Sequence, residues 1–254
     1  MTAMAPSRAR RPILAGNWKM HLLAAEAEAF CAALPPGLGH PPGPEVVLFP
    51  SFPLLPAVAA ALAGSAVGVG GQDLHPEPKG AFTGDVSAAQ LADAGCRFAL
   101  AGHSERRQHH GESDALVARK AAAALAAGLR PVVCVGETGE ERRAGHTFEV
   151  LARQLAPLAW DARLAVAYEP VWAIGTGLTA TPETAAEAHA FVRRRVAELA
   201  GEPFARDLRI LYGGSVTPEN AGALAAVAEV DGFLVGGASL DPARFYAILS
   251  ALAA

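Results

Sequence analysis

Cysteine is scarce in this chain, and the little there is fits no pattern: Cys31, Cys96 and Cys134 are odd in number and far apart. Such spacing argues against a disulfide framework, and unpaired thiols of this kind predict a cytoplasmic protein. No His/Cys/Asp grouping has metal-ligand spacing, so the chemistry is expected to need neither a metal nor another cofactor. No run of about eighteen consecutive apolar residues occurs, which argues against a membrane span. A basic block is missing too: the net charge is −4, and the one dense run, Arg193-Arg194-Arg195, lies in a helical pattern where a solvated face accounts for it. Nucleic acid is therefore not an expected partner. Residues 1–11 are basic, but no long apolar stretch with a small-residue cleavage site follows them, so they read as a flexible tail and not a secretory signal.

What the chain does have is apolar bulk: 52% of its 254 residues are hydrophobic and only 18% charged. Glycine and proline recur throughout instead of gathering in one linker, which favours a single domain over 12–254. Short apolar runs predict strands near 12–17, 45–49, 66–70, 97–102, 131–135, 163–168, 208–212 and 231–235. Helical patterns lie near 22–34, 53–63, 87–94, 113–127, 140–157, 182–200, 219–227 and 241–252. Strands apolar on both faces, each followed by a helix, imply a parallel sheet covered by helices. Spacing alone allows an open doubly wound sheet or a closed barrel, and the count of eight units favours a (β/α)8 TIM barrel. Thr181-Pro182-Glu183 and Thr217-Pro218-Glu219 each offer a hydroxyl cap, a proline at the first helical position and an acid in the first turn.

The most informative run is Ala167-Tyr168-Glu169-Pro170-Val171-Trp172-Ala173-Ile174-Gly175-Thr176-Gly177. Glu169 ends a buried strand and Pro170 forbids further ladder pairing, so the carboxylate is held at a rim, a place suited to a base. An apolar tip between Pro170 and the Gly-Thr-Gly triplet is the composition of a lid. Two glycine pairs, Gly213-Gly214 before Ser215 and Gly236-Gly237, follow consecutive strands and precede helix starts, where free N–H groups and the helix dipole favour an anion. In a barrel that is where phosphate is commonly held. Taken singly, Lys19 has a plainer reading as a surface cation, Asn17 as a turn residue and His103 as a satisfied strand-end residue.

The run through Glu169 resembles the active-site strand and mobile loop of the triosephosphate isomerases. Gly16-Asn17-Trp18-Lys19-Met20, Gly102-His103-Ser104-Glu105-Arg106-Arg107, Tyr212-Gly213-Gly214-Ser215-Val216 and Leu234-Val235-Gly236-Gly237-Ala238-Ser239 match the same family in order. The resemblance covers roughly residues 12–250 and implies the closed barrel. It further implies a cofactor-free glycolytic and gluconeogenic isomerase, acting on a small phosphorylated triose through an enediolate. By the same resemblance Glu169 would be the base and His103, neutral as in that family, the electrophile. Asn17 would add a hydrogen bond to the substrate oxygens and Lys19 a positive charge positioned by Glu105. Ser104 would open a helical turn after His103. Gly175, Ser215, Gly236 and Gly237 would hold the phosphate. A homodimer is also implied, in which Thr83 on the long 71–86 loop reaches the neighbour's Asn17 and Lys19.

Departures from the family pattern fall away from this set. Leu178 stands where many relatives carry lysine, His109-His110 where an aromatic residue is usual, and Asp73 and Asp85 where asparagine and glutamate are common. They concern the lid hinge and the subunit contact. Three other functions remain open on the sequence. One is isomerisation of a four-carbon sugar phosphate by the same chemistry. Another is an aldolase using Lys19 as a Schiff base, disfavoured because an amine beside Glu105 is a poor nucleophile. The third is a phosphometabolite-binding protein without activity.

Overall fold

The computed structural model describes residues 10–174 and 179–253. Eight strands, β1 (Ile13–Asn17), β2 (Glu45–Phe49), β3 (Gly68–Gly71), β4 (Phe98–Ala101), β5 (Arg130–Val135), β6 (Ala165–Tyr168), β7 (Arg209–Tyr212) and β8 (Gly232–Val235), pair in chain order into a closed barrel. Every pairing is parallel, and β1 closes the ring on β8 with Ile13 opposite Gly232. The chain is a (β/α)8 TIM barrel.

Alternation along the strands divides the apolar residues into two cores. Ile13, Ala15, Val47, Phe49, Phe98, Leu100, Val132 and Cys134 belong to the inner one. Leu14, Val46, Leu48, Val69, Val133 and Val166 pack outward against the helices. The inner side of β3 carries no large side chain because its neighbours fill it: a Cβ on Gly70 would lie 2.4 Å from the Phe49 ring. Cys134 is therefore a packing residue, and burial pushes its thiol well up from the ordinary range. At the opposite end of the barrel from the strand C-termini, Glu45 accepts hydrogen bonds from Arg130 and, at 3.0 Å, from Arg209. Burial alone would raise the Glu45 carboxyl, but Arg130 and Arg209 outweigh it and hold it below the usual range.

Several expectations are revised. The helix expected over 140–157 is two, Gly139–Arg143 and Thr147–Leu155, because Gly145 turns left-handed at φ 79° between them. The helical turn expected to open at Ser104 runs on to His110, and a further helix, Glu202–Asp207, fills a segment read as a connection. Arg193 is not a solvated residue. Its guanidinium turns inward, bonding Glu229, Asp231 at 2.8 Å and the Leu208 carbonyl at 3.0 Å. Only its neighbours fit a surface role, Arg195 pairing with Glu198 and Arg194 lying over the Phe191 ring. Arg10 and Arg11, assigned by sequence to the tail, are docked. Arg10 bonds Asp231 at 2.7 Å and Arg11 bonds the Gly39 and Gly43 carbonyls. No helix among the described residues is long and apolar enough to cross a membrane.

His189, in the helix Pro182–Ala200, is wholly buried between Tyr168 and Tyr212 and donates from Nδ1 to the Glu229 carbonyl at 2.9 Å. Burial pushes the imidazole down to about 4. An unfolded chain takes up this proton near pH 6.5 and the folded one only near 4, so the unfolded state binds more protons in between. Stability is thus intact above about pH 6.5 and falls as the pH drops toward 4, by about 2–3 kcal/mol from this residue. His189→Asn keeps a donor for Glu229 but cannot titrate. Urea denaturation at pH 7.5 and pH 4.5 should show the parent losing about 2–3 kcal/mol more than the variant, and equal losses would mean that His189 is charged in the fold.

Candidate active site

The C-terminal ends of the strands deliver the sequence-predicted residues to one cavity of about 350 Å³, lined by Asn17, Lys19, His103, Glu169, Ser215, Gly236 and Gly237 among others. Glu169 directly follows β6 and is only 2% exposed. One carboxylate oxygen accepts the Ser104 backbone N–H at 2.8 Å, and the other faces His103 Nε2 at 3.0 Å. Room for this carboxylate depends on Gly213, since a Cβ there would stand 2.9 Å from Glu169 Cγ.

His103 caps the helix Ser104–His110, and its Nδ1 accepts the Glu105 backbone N–H at 3.2 Å. An Nδ1 used as acceptor leaves the ring proton on Nε2, a tautomer assigned from this hydrogen bond. The imidazole therefore presents an N–H to the cavity, and Glu169 holds it there. A carbonyl oxygen entering the site can take over that N–H and free the carboxylate.

Lys19 stands in the left-handed region at φ 52°, which a lysine adopts only when its surroundings enforce it. Three contacts do so. Its N–H donates to Asn17 Oδ1 at 3.0 Å, its carbonyl accepts from Gln72 Nε2 at 2.8 Å, and its ammonium meets Glu105 at 2.5 Å. Burial would raise the Glu105 carboxyl, but the Lys19 hydrogen bond and charge outweigh it and keep it low. The ammonium chain passes over the glycine-rich end of the cavity, with Lys19 Cε 3.3 Å from where a Gly236 Cβ would be.

At that end, Gly213, Gly214 and Ser215 lead into the helix Pro218–Ala225, while Gly237 begins the 3-10 turn Gly237–Leu240. The Thr217 N–H at the first start is already capped by Asn220 Oδ1 at 2.8 Å, and the glycines that precede each start leave room for an anion to approach the backbone. Gly175 and Leu178, the predicted lid contact and rear hinge, lie outside the described residues. The described part of the predicted lid, Val171–Ala173, is a 3-10 turn. Thr83 is not in this cavity; it is exposed on the long loop.

A sequence profile of the triosephosphate isomerase family matches residues 12–252. The chain belongs to the triosephosphate isomerase family. Relatives named triosephosphate isomerase include that of Moorella thermoacetica, 52% identical over 95% of this chain and 98% of the relative. That of Chloroflexus aurantiacus is 50% identical over 94% and 98%, and that of Thermus thermophilus 49% over 94% and 98%.

Beside the expected set, this triosephosphate isomerase-family site uses residues that sequence reasoning passed over. Glu137 is wholly buried and accepts the Tyr168 hydroxyl at 3.2 Å and Trp172 Nε1 at 2.9 Å, fixing the turn Val171–Ala173. Burial first, then Glu137, pushes the Tyr168 phenol up, so it stays a donor. Gln72 ties the Lys19 carbonyl to that of Phe49. Both follow closely on apolar strands, the signal that singled out Glu169, so inspecting each strand's C-terminal edge would have found them.

Asp73, an apparent departure at the subunit contact, is accounted for within one subunit. Lys120 Nζ bridges Asp73 at 2.6 Å and Glu112 at 2.5 Å, and Arg106 meets both carboxylates at 2.8 Å. This cluster ties the loop bearing Gln72 to the helix bearing Glu105.

Proposed function

We propose that this protein interconverts dihydroxyacetone phosphate and D-glyceraldehyde 3-phosphate without a cofactor. The observation that carries the reading is the pairing of Glu169 with an Nε2–H of His103 at 3.0 Å, on a cavity whose far side is a glycine-rich anion cradle, in a chain of this family. A proton next to a carbonyl is only weakly acidic, so catalysis needs a base and a donor to the oxygen that becomes negative. Glu169 removes the proton from one carbon, and the electron pair moves into an enediolate. His103 and Asn17 donate hydrogen bonds to its oxygens, and Lys19 supplies positive charge beside them. Glu169 then returns a proton to the adjacent carbon, so that no electron leaves the substrate and none is needed. The backbone of Ser215, Gly236, Gly237 and Gly175 holds the phosphate.

Purified protein should convert either triose phosphate in a coupled assay, undiminished by EDTA. A preference for a four-carbon ketose phosphate, or loss of turnover in chelator that zinc or magnesium restores, would overturn the reading.

The protein acts as a homodimer in the cytoplasm, serving glycolysis and gluconeogenesis. Supporting the dimer, Met20 is 94% and Phe82 42% exposed, and a cavity of about 230 Å³ opens among Asn17, Lys19, Met20, Phe52 and Glu105. Phe82 stacks on His75 with centroids 3.9 Å apart, which stiffens the loop for insertion into a partner. Replacing Phe82 and Thr83 with glutamate should give a folded monomer with severely reduced turnover, read by light scattering beside the assay. A fully active monomer would contradict it.

A further inference from the structure

Lining the phosphate end, with Ser215 and Gly237, is the side chain of Arg244. The helix fixes its place: it lies in the first turn of Pro242–Ala253, its N–H is capped by Asp241 at 2.9 Å, and the next residue, Phe245, is in the core. Its guanidinium is exposed and, among the described residues, forms no hydrogen bond or ion pair.

The charges around the cavity make this unusual. Lys19 is already paired with Glu105, and Glu169 brings a negative charge that a phosphate dianion must approach. Glu219 is near enough to feel the charge of Arg244, but it is hydrogen-bonded first to Thr217 and its own backbone N–H and forms no ion pair with the guanidinium. Among the described residues, Arg244 is thus the cation on the cavity wall that no ion pair holds, at its phosphate end. The backbone groups there can grip an anion at contact distance but exert little pull beyond it, whereas a full charge acts over roughly 10 Å at moderate salt.

We infer that Arg244 captures the substrate by its phosphate dianion, setting the rate of productive encounter and the discrimination against unphosphorylated trioses. The inference rests on the isomerase reading and assigns Arg244 no contact with the reacting carbons.

The test compares the parent with Arg244→Gln and Arg244→Lys, on D-glyceraldehyde 3-phosphate and on D-glyceraldehyde, across ionic strength. For Arg244→Gln at low salt, kcat/KM on the phosphorylated substrate should fall about tenfold, mostly in KM, with a flatter salt dependence. Arg244→Lys should recover most of the loss. The ratio on unphosphorylated glyceraldehyde should stay near the parent's. A kcat/KM unchanged at low salt, or an equal loss on both substrates, would overturn the inference. Binding of inorganic phosphate, measured by calorimetry, separates this from the isomerase reading. A parent without turnover sinks that reading, while weaker phosphate binding by Arg244→Gln than by the parent still supports the capture role and equal binding refutes it. Matching thermal melts confirm that the exposed substitution leaves the fold intact.

Discussion

Glu169→Gln is expected to lower turnover by about 100-fold to 10,000-fold, the contribution general-base catalysis typically makes. An amide oxygen can still accept the Ser104 N–H, which now binds the carboxylate at 2.8 Å, so the side chain keeps one of its two anchors although it no longer accepts from His103. Stability and binding of a phosphate-bearing inhibitor should therefore change little. Glu169→Asp makes the complementary test, since it keeps the base but shortens its reach. A misplacement of about 1 Å can cost about 100-fold, so this variant should also be severely impaired, with its loss in kcat and not in inhibitor affinity. Retention of more than about a tenth of parental turnover by Glu169→Gln would remove Glu169 from the base role.

The second large effect concerns stability. Lys120→Met removes a buried ammonium that bridges Asp73 and Glu112, leaving Arg106 as their shared cation. Breaking a buried pair by removing one partner typically costs about 3–5 kcal/mol, because the remaining charge is left in a poorly solvating site. At about 2–4 °C per kcal/mol for a domain of this size, the melting temperature should fall by about 6–20 °C. Burial already pushes the Asp73 carboxyl up, against the pull of Lys120, while hydrogen bonds from Lys120 and Arg106 outweigh burial at Glu112 and hold it low. Without the ammonium both carboxyls shift upward, so the deficit should be larger at pH 8 than at pH 4.5, where protonation relieves the unpaired charge. A deficit below about 1 kcal/mol, or one independent of pH, would mean that Lys120 acts by packing alone. Because Arg106 adjoins Glu105 and Asp73 adjoins Gln72, loosening this cluster should also weaken the support under Lys19.

The barrel was legible in the sequence because its signal is local and repeated. Strands apolar on both faces call for helices on both sides, eight such units favour a closed barrel over an open sheet, and the family resemblance settled that choice in favour of the ring that β1 to β8 form. Glu169 was legible for a similar reason: a carboxylate between a buried strand and a proline can stand only at a rim. Where two states were locally equivalent, reading the sequence failed. The 140–157 pattern runs through Gly145 without losing its apolar period, and only the left-handed turn there divides it.

What tertiary structure alone decided is which distant groups meet. Glu169 binds an N–H 65 residues away, and Lys19 meets an acid 86 residues away. Neither distance leaves a period in the chain. Arg193 shows the same limit: within Arg193-Arg194-Arg195 the three residues are chemically identical, yet only one turns inward, toward Asp231 and Glu229. Helix rotation assigns them to different faces, and where the face points is set by packing against the barrel, not by the residues themselves. For Arg244 and Gln72 the chain offers an ordinary cation and an ordinary amide. Their importance arises because closing the sheet brings the ends of all eight strands to one side, so that groups with no neighbours in sequence share one field and one cavity.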